Sequence, residues 1–490
     1  MANGEWAQAA HGFAQALQIQ QNLPSAWHNL GTSFLALGQT DRAVQACNQA
    51  LNLNPALWQS HLILGKAKVQ LDDPIGADQN YCEVLKADPS NPHARIARAN
   101  LLMNTFGQPL QASELVRPLL SLDEFKVDAQ LTTLMAGLYD RDTGAEQHNS
   151  QILEFSKASL RFDESELMQL GLSPRANEFM WDTKVSSLKQ NNAAQKTPSV
   201  LPFHPEWRAS HNRKRPLVGF MSPLLSASPV YFLTIAGWKH IAQECDIVVF
   251  NRGHKKDWAT QRFKDLSVEW VDVQELSAVR LAQKIFDAKL DVLYDLGGWM
   301  DPIALKALSV KPARQMFKWV GGQSATTGLN SFDGWIGDHW QSPLSLQHLY
   351  SEPLINIEQG YSVYTAPEYL PPIPSHKRDV PVIFSNPAKL SRSFLKYLQT
   401  VPGVKSFVHK QFKYPLAKAR VLEYLDASQV EFITPTGHAQ ALEILGGYQT
   451  MIDTFPYSSG LTAREARAMG VKVQARVGTL FCERHCAHLV

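Results

Sequence analysis

The stretch that decides the fold is "MIDTFPYSSGLTAREARAMG", residues 451–470. An apolar run ends at Asp453, a bend of proline and small residues follows (Pro456, Ser458, Ser459, Gly460), and helical spacing begins with Thr462, Glu465 and Met469. A strand that turns through small residues into a helix is half of a parallel β-α-β unit. The bend has two readings. In one it is a plain turn, with Ser458 or Ser459 capping the helix and Glu465 solvated. In the other, the free N–H groups and the dipole of the helix N-terminus attract an anion. Hydroxyls then add donors, Gly460 lets a phosphate approach the backbone, and Glu465 accepts hydrogen bonds from a ribose diol.

From Arg215 onward the same texture recurs. "PLVGFMS", "CDIVVFNRG", "DVLYDLGG" and "RQMFKWVGG" read as strands, and "AVRLAQKIFDAKL" and "PIALKALSVKP" as helices. After the proline-rich "APEYLPPIPSHKRDVP" a second series begins with the strand "VPVIFSN" and the helix "SRSFLKYLQTVP". It continues through "KSFVHK", "KARVLEYL", "VEFITPT", "HAQALEILGGY" and "QTMIDTF". Alternating strands and helices predict two doubly wound lobes, 213–375 and 376–490, with ligands outside the carboxyl ends of the strands. Lys389, in "SNPAKLSRS", follows a strand of the second lobe and can neutralise a diphosphate there; the alternative is a solvated charge. "WVGGQSATTGLNSFDGWIGD" offers close backbone access at Gly321, Gly322, Thr326, Thr327 and Gly328. With no metal-binding acid pair nearby, a leaving diphosphate is expected to be stabilised by the helix N-terminus and Lys389.

The first third is different. Gly31, Gly65 and Ala99 recur at one constant interval, which Pro55 and Pro89 share, as do Ala9, Ala43 and Ala77. Small residues at that interval mark helices that cross closely, the prolines are expected to begin the next repeat because proline is tolerated at a helix start, and a period of about 34 residues resembles the tetratricopeptide repeat. About three repeats are expected over 1–122, forming a concave groove for a polypeptide, with Asn29 and Asn100 as groove candidates. A spacer or a dimer surface is the alternative, so a homodimer stays open. Residues 123–212 read as irregular helices ("AQLTTLMAGLYD", "ESELMQLGL") and the polar linker "KQNNAAQKTPSVLPFHPEW".

Composition narrows the class. The chain has 490 residues, 44% hydrophobic and 19% charged, with a net charge of +2, so nothing in it calls for nucleic acid or an anionic membrane. Apolar runs stay short of a membrane span, and the N-terminus lacks the pattern of a secretory signal. Five scattered cysteines suggest no disulfide framework and fit a reducing cytoplasm. "CERHCAH" spaces Cys482, His485, Cys486 and His488 for one helical face, but no second pair completes a zinc site, so no metal is expected.

The repeats, "KPARQMFKWVGGQSATTGLNSFDGWIGDHWQSP", "YSEPL", "AKLSRSFL" and "MIDTFPYSSGLTAREARAMG" appear in an order that resembles one glycosyltransferase family. It contains protein O-GlcNAc transferase, the plant Spindly proteins and the bacterial adhesin N-glucosyltransferases. The resemblance implies two Rossmann-like lobes in the GT-B arrangement. It also implies metal-independent inverting transfer from a nucleotide-sugar, UDP-linked, to a Ser, Thr or Asn side chain of a protein, with no further cofactor. On it, Lys389 matches the lysine on the donor diphosphate, Ser459, Gly460, Leu461 and Thr462 the phosphate loop, and Glu465 a ribose-binding Asp. His438 falls near a base-contacting histidine, and Gln411 matches a donor-side glutamine of the adhesin branch.

Departures accompany the likeness. Ser228-Pro229 stands where O-GlcNAc transferases carry His-Pro, Trp299 where many relatives have His, and Gly321-Gly322-Gln323 where they have Gly-Tyr-Pro or Gly-His-Pro. Relatives continue for several helices beyond the position of Val490, which suggests a shortened second lobe or a truncated sequence. A serine hydroxyl does not titrate near neutrality, so Ser228 is a poor base, and Asp295 and His254 are the remaining candidates. Two hypotheses follow: a protein glycosyltransferase, or a degenerate member that binds proteins through its repeats. A glycan or lipid acceptor is a third reading that the repeats disfavour.

Overall fold

In a computed structural model of the chain, the described residues are 3–173, Trp181 and 213–489, and they form two compact units, Met1–Gly137 and Leu138–Val490. The expected polar linker 189–207 lies outside the described residues.

The first unit is helical: α1 (Asn3–Ile19), α2 (Pro24–Ala36), α3 (Thr40–Leu53), α4 (Gln59–Gln70), α5 (Pro74–Ala87), α6 (Pro92–Asn104) and α7 (Pro109–Val116). The repeat period has a steric cause. A Cβ on Gly31 of α2 would collide with Cys47 Sγ of α3, and one on Gly65 of α4 with the Tyr81 ring of α5. Glycine therefore sits where each pair crosses most closely, and Ala43, Ala77 and Ala99 are fully buried. The prolines at the same period behave differently from the expectation. Pro55 and Pro89 occupy the turns before α4 and α6, and it is Pro24, Pro74, Pro92 and Pro109 that begin helices. Asn29 and Asn100 are exposed.

The expected connector opens with α8 (Asp123–Tyr139), regular and unbroken across the boundary at Gly137, so the first unit runs past residue 122. The second unit continues with α9 (Ala145–Ser159) and α10 (Glu164–Gln169), also regular helices, and two parallel sheets.

The first sheet uses β1 (Leu217–Ser222), β2 (Asp246–Asn251), β3 (Glu269–Asp272), β4 (Val292–Asp295), β5 (Gln315–Trp319), β6 (Gly334–Gly337) and β7 (Leu354–Asn356). Between them run α11 (Pro229–Glu244), α12 (Trp258–Lys264), α13 (Ala278–Asp287) and α14 (Pro302–Ser309). The second sheet uses β8 (Val382–Ile383), β9 (Lys405–Val408), β10 (Val430–Ile433), β11 (Thr450–Ile452) and β12 (Lys472–Gln474). Its helices are α15 (Arg392–Gln399), α16 (Pro415–Leu422), α17 (His438–Gly446) and α18 (Leu461–Ala468).

Strand order is β3-β2-β1-β4-β5-β6-β7 in one sheet and β10-β9-β8-β11-β12 in the other, with parallel pairing throughout. The order reverses between β1 and β4 and between β8 and β11, so each lobe opens a crevice at those carboxyl ends. In the second lobe Phe394, Leu398, Phe407 and Phe412 pack in one core, and Leu445, Met451, Ala466 and Met469 in another.

Candidate active site between the lobes

The second crevice is built around Asp453, at the end of β11. Its carboxylate accepts the N–H of Thr454 at 2.9 Å and that of Ser459 at 3.1 Å to both oxygens, and the Cys486 thiol at 2.9 Å. The bend is thus pinned onto its own strand. Ser458 turns away from the crevice: its N–H and hydroxyl donate to the Cys482 carbonyl at 2.8 and 3.0 Å, and its Oγ accepts the His485 N–H at 2.9 Å.

That arrangement removes the reading in which Ser458 or Ser459 caps the helix. Ser458 and Ser459 are buried and neither caps α18; the N-cap is Gly460, which offers no side chain. The N–H groups of the first turn of α18 are left uncapped by any side chain, and Leu461 and Thr462 of that turn line the space between the lobes. Gly460 has φ −85°, and a Cβ there would meet His485 only at ordinary contact, so backbone conformation alone does not demand glycine.

Leu461, Thr462 and Glu465 line a cleft of about 570 Å³ whose other wall carries Ser228, Phe232 and Trp258 of the first lobe. Glu465 is 2% exposed and its Oε1 lies 2.7 Å from His438 Nε2, while His438 Nδ1 lies 2.8 Å from the Tyr369 hydroxyl. A proton on Nε2 satisfies all three groups, with imidazole donating to the carboxylate and accepting from the phenol. Glu465 is therefore oriented by His438, not solvated, and His438 begins α17, whose N-cap Gly437 also leaves its first turn without a side-chain cap. Ser228 caps α11, accepting the Val230 N–H at 3.2 Å. The N-termini of α11, α17 and α18 thus converge on one cleft, and their dipoles make it attractive to anions.

Lys389 ends a short 3-10 helix (Pro387–Lys389) after β8. Its ammonium donates to the Ser458 carbonyl at 3.0 Å and sits 4.6 Å from the centroid of the Tyr457 ring. Burial lowers its pKa and the Asp453 charge opposes that shift. It is not the solvated charge of the simpler reading; it supports the loop from beneath and does not line the cleft. Gln411 is likewise buried beside the cleft, while its neighbours His409 and Lys410 line it. His409, Lys255, Trp258, Phe232 and Tyr369 have no motif around them and were not anticipated from sequence.

The first lobe revises other expectations. Both Asp295 oxygens are occupied: Oδ1 accepts the Gly297 N–H at 3.0 Å and Oδ2 the Gly298 N–H at 2.9 Å, and Lys318 Nζ lies 3.3 Å from Oδ2. Buried and paired, Asp295 is placed as a structural carboxylate and does not line the cleft. His254 is exposed and also outside the cleft lining. In the glycine-rich loop the close backbone approaches are made to the protein itself. Cβ atoms on Gly321 and Gly322 would collide with the carbonyls of Leu296 and Gly297, and Thr326 and Thr327 bind the buried Glu352 carboxylate, the first at 2.6 Å. Trp299 is buried, donating from Nε1 to the Thr326 carbonyl at 2.9 Å. Cys482 and Cys486 are buried and free in a segment of two short 3-10 helices, Phe481–Glu483 and Ala487–Leu489. Among the described residues no three His, Cys, Asp or Glu side chains gather as a metal site, and no helix is long and apolar enough to cross a membrane.

Three histidines make this region acid-sensitive. Burial, reinforced by Lys389, pushes His485 down to about 3 from 6.5; burial also pushes His409 and His488 down to about 4. The unfolded chain therefore takes up protons first, and the stability is complete above pH 6.5 and falls as pH drops towards 4. Each group contributes a slope of up to about 1.4 kcal/mol per pH unit. Denaturant midpoints at pH 7.5, 6 and 5 should fall in that order, and His485→Gln should flatten the series; an unchanged slope in the variant would contradict the assignment.

With this geometry in hand, comparison with known proteins is informative. Residues 24–57 match the tetratricopeptide repeat model. Over 297 residues the chain is 27% identical to a probable UDP-N-acetylglucosamine–peptide N-acetylglucosaminyltransferase, SPINDLY, of Solanum lycopersicum, covering 56% of this chain and 32% of that protein. It is 28% identical over 103 residues to the probable enzyme of the same description, SEC, of Arabidopsis thaliana, covering 21% and 10%. The chain thus spans about a third of the length of the SPINDLY proteins it matches, or 32% for the tomato protein. A solved mutant of Thermobaculum terrenum O-GlcNAc transferase superposes with a TM-score of 0.76 at 19% identity, covering 95% of this chain and 84% of the other. The chain is similar to SPINDLY- and O-GlcNAc transferase-like proteins, and its fold is theirs: helical repeats followed by a GT-B pair of Rossmann-like lobes.

Proposed function

We propose that this protein is a glycosyltransferase that moves a sugar from a UDP-sugar to a Ser, Thr or Asn side chain of a protein. The observation that carries the reading is the side-chain-free N-terminus of α18, set one turn from the Glu465–His438–Tyr369 chain inside the interlobe cleft. The uncapped N–H groups and the Thr462 hydroxyl hold the diphosphate, with Leu461 walling that subsite. The second oxygen of Glu465 accepts from the ribose. Lys389 keeps the Ser458 carbonyl, and with it the loop, in place and adds positive potential. The SPINDLY and SEC relatives, probable UDP-N-acetylglucosamine–peptide N-acetylglucosaminyltransferases, support the UDP-sugar and the peptide acceptor.

In the inverting, metal-independent reaction we infer, the acceptor heteroatom attacks the anomeric carbon opposite the diphosphate. The carbon–oxygen bond to phosphate breaks, and the electron pair leaves on a phosphate oxygen stabilised by the helix N-terminus. With Ser228 engaged in capping α11 and Asp295 paired to Lys318, the acceptor proton passes to the donor phosphate. The repeats present the acceptor polypeptide, and five free cysteines fit a cytoplasmic setting.

Calorimetric titration with UDP, UDP-N-acetylglucosamine and UDP-glucose, against GDP-sugars, tests this reading. UDP should bind, and Lys389→Ala should weaken it by roughly 10- to 100-fold, with no change on adding EDTA. Absence of nucleotide binding at millimolar concentration ends the enzyme reading; UDP binding indifferent to Lys389→Ala removes that lysine from the site.

A further inference from the structure

Four consecutive residues outside both sheets hold the phosphate loop. The segment 139–142, "YDRD", begins with the last residue of α8, and each of its first three side chains reaches a different support of the loop. Tyr139 stacks on Tyr457, with ring centroids 4.9 Å apart and planes 15° from parallel. The same Tyr457 ring carries the Lys389 ammonium, and its hydroxyl lies 2.8 Å from Ser324 Oγ of the first lobe. Burial pushes the Tyr139 phenol up to about 12, so it stays neutral and offers the stack a plain aromatic face.

Asp140, 5% exposed, accepts the Arg392 N–H at 2.8 Å, Arg392 Nε at 3.1 Å and Arg420 Nη2 at 3.0 Å. Arg392 opens α15 three residues after Lys389, and the intervening Ser391 donates to the Phe455 carbonyl at 2.6 Å. Asp140 therefore anchors the exit of the Lys389 turn. Arg141 pairs with Glu483, whose carboxylate accepts the N–H groups of Thr479 at 2.8 Å and Leu480 at 3.3 Å. That fixes the segment whose Cys482 carbonyl receives Ser458 N–H. The Asp142 contact to Arg392 is largely exposed and contributes little.

We propose that 139–142 is the positioning element of the donor diphosphate site, with Tyr139 as its main lever: its stack sets Tyr457, and Tyr457 sets Lys389 and the loop leading into α18. The inference rests on the donor-site reading above. None of these residues touches the nucleotide; they act through the loop, so their influence follows the phosphates and not the nucleoside.

The test is calorimetry with UDP and UMP on the full chain, with thermal midpoints alongside. Tyr139→Leu should weaken UDP by about 5- to 10-fold and UMP by less than about twofold, and Tyr139→Phe should restore the UDP affinity. Arg141→Gln, which frees Glu483, should show the same selective loss and stands in if Tyr139→Leu does not fold. Equal losses for UDP and UMP, or wild-type UDP affinity in both variants, overturn the positioning role while leaving the donor site intact. A wild-type protein that binds neither nucleotide overturns both readings.

Discussion

Lys318→Met should destabilise the second unit by about 3–5 kcal/mol, the usual cost of removing one partner of a buried ion pair. Lys318 is fully buried on β5, directly across the ladder from Asp295 on β4. Its ammonium donates to the Asp295 carbonyl at 2.9 Å and to the Gly321 carbonyl, besides facing the Asp295 carboxylate at 3.3 Å. Burial depresses its pKa and Asp295 holds it up. Methionine fills the volume but leaves a buried carboxylate facing only backbone N–H groups. The thermal midpoint should drop by on the order of 5 °C, since a unit of this size loses few degrees per kcal/mol. Adding Asp295→Asn should recover part of the loss, because the uncompensated charge is then gone. A double variant that keeps wild-type transfer would show Asp295 to be structural; one that keeps its fold and its donor affinity but loses transfer would return Asp295 to the chemistry.

Glu465→Ala should raise the dissociation constant for UDP by roughly 10- to 100-fold, equivalent to losing about 1.5–3 kcal/mol of charge-assisted hydrogen bonding. The carboxylate does two things that alanine cannot. It keeps His438 oriented at 2.7 Å, and it supplies a carboxylate to the cleft lining. His438 is partly exposed, so water replaces its lost partner and the thermal midpoint should move less than the affinity. Calorimetry on variant and wild type measures both consequences. An unchanged dissociation constant would remove Glu465 from the nucleotide site.

The parts of the molecule that could be read from sequence are those where one residue's own chemistry dictates its surroundings. Glycine recurring once per repeat follows from helices in near contact, and the crossing of Gly31 with Cys47 is that contact. Apolar runs such as 217–222 and 246–251 could only be interior strands of a parallel sheet, and they pair in that way. By contrast β6, β7 and β12, with the sequences GWIG, LIN and KVQ, lie in no apolar run of the kind that marks 217–222 and 246–251. The candidate site divides along the same line. Position was legible: Lys389, Thr462 and Glu465 all lie at carboxyl ends of the second lobe's strands. Direction was not, because it depends on residues far away in the chain. Tyr457 and Ser458 draw Lys389 beneath the loop, His438 turns Glu465 inward, and after β9 His409 and Lys410 line the cleft while Gln411 is buried beside it.

The meeting of the Gly321 and Gly322 backbone with the carbonyls of Leu296 and Gly297 bears on how such proteins are compared across species. In this chain any side chain at those two positions would push one loop off the other, so selection for folding alone would keep Gly321, the glycine that the Gly-Tyr-Pro and Gly-His-Pro relatives share, unchanged. An evolutionary record showing that glycine unchanged beside variable neighbours would resemble the imprint of a substrate, yet it would record only two backbones in contact. Invariance at Thr462 or Glu465, which line the cleft, carries the more direct information about chemistry under selection.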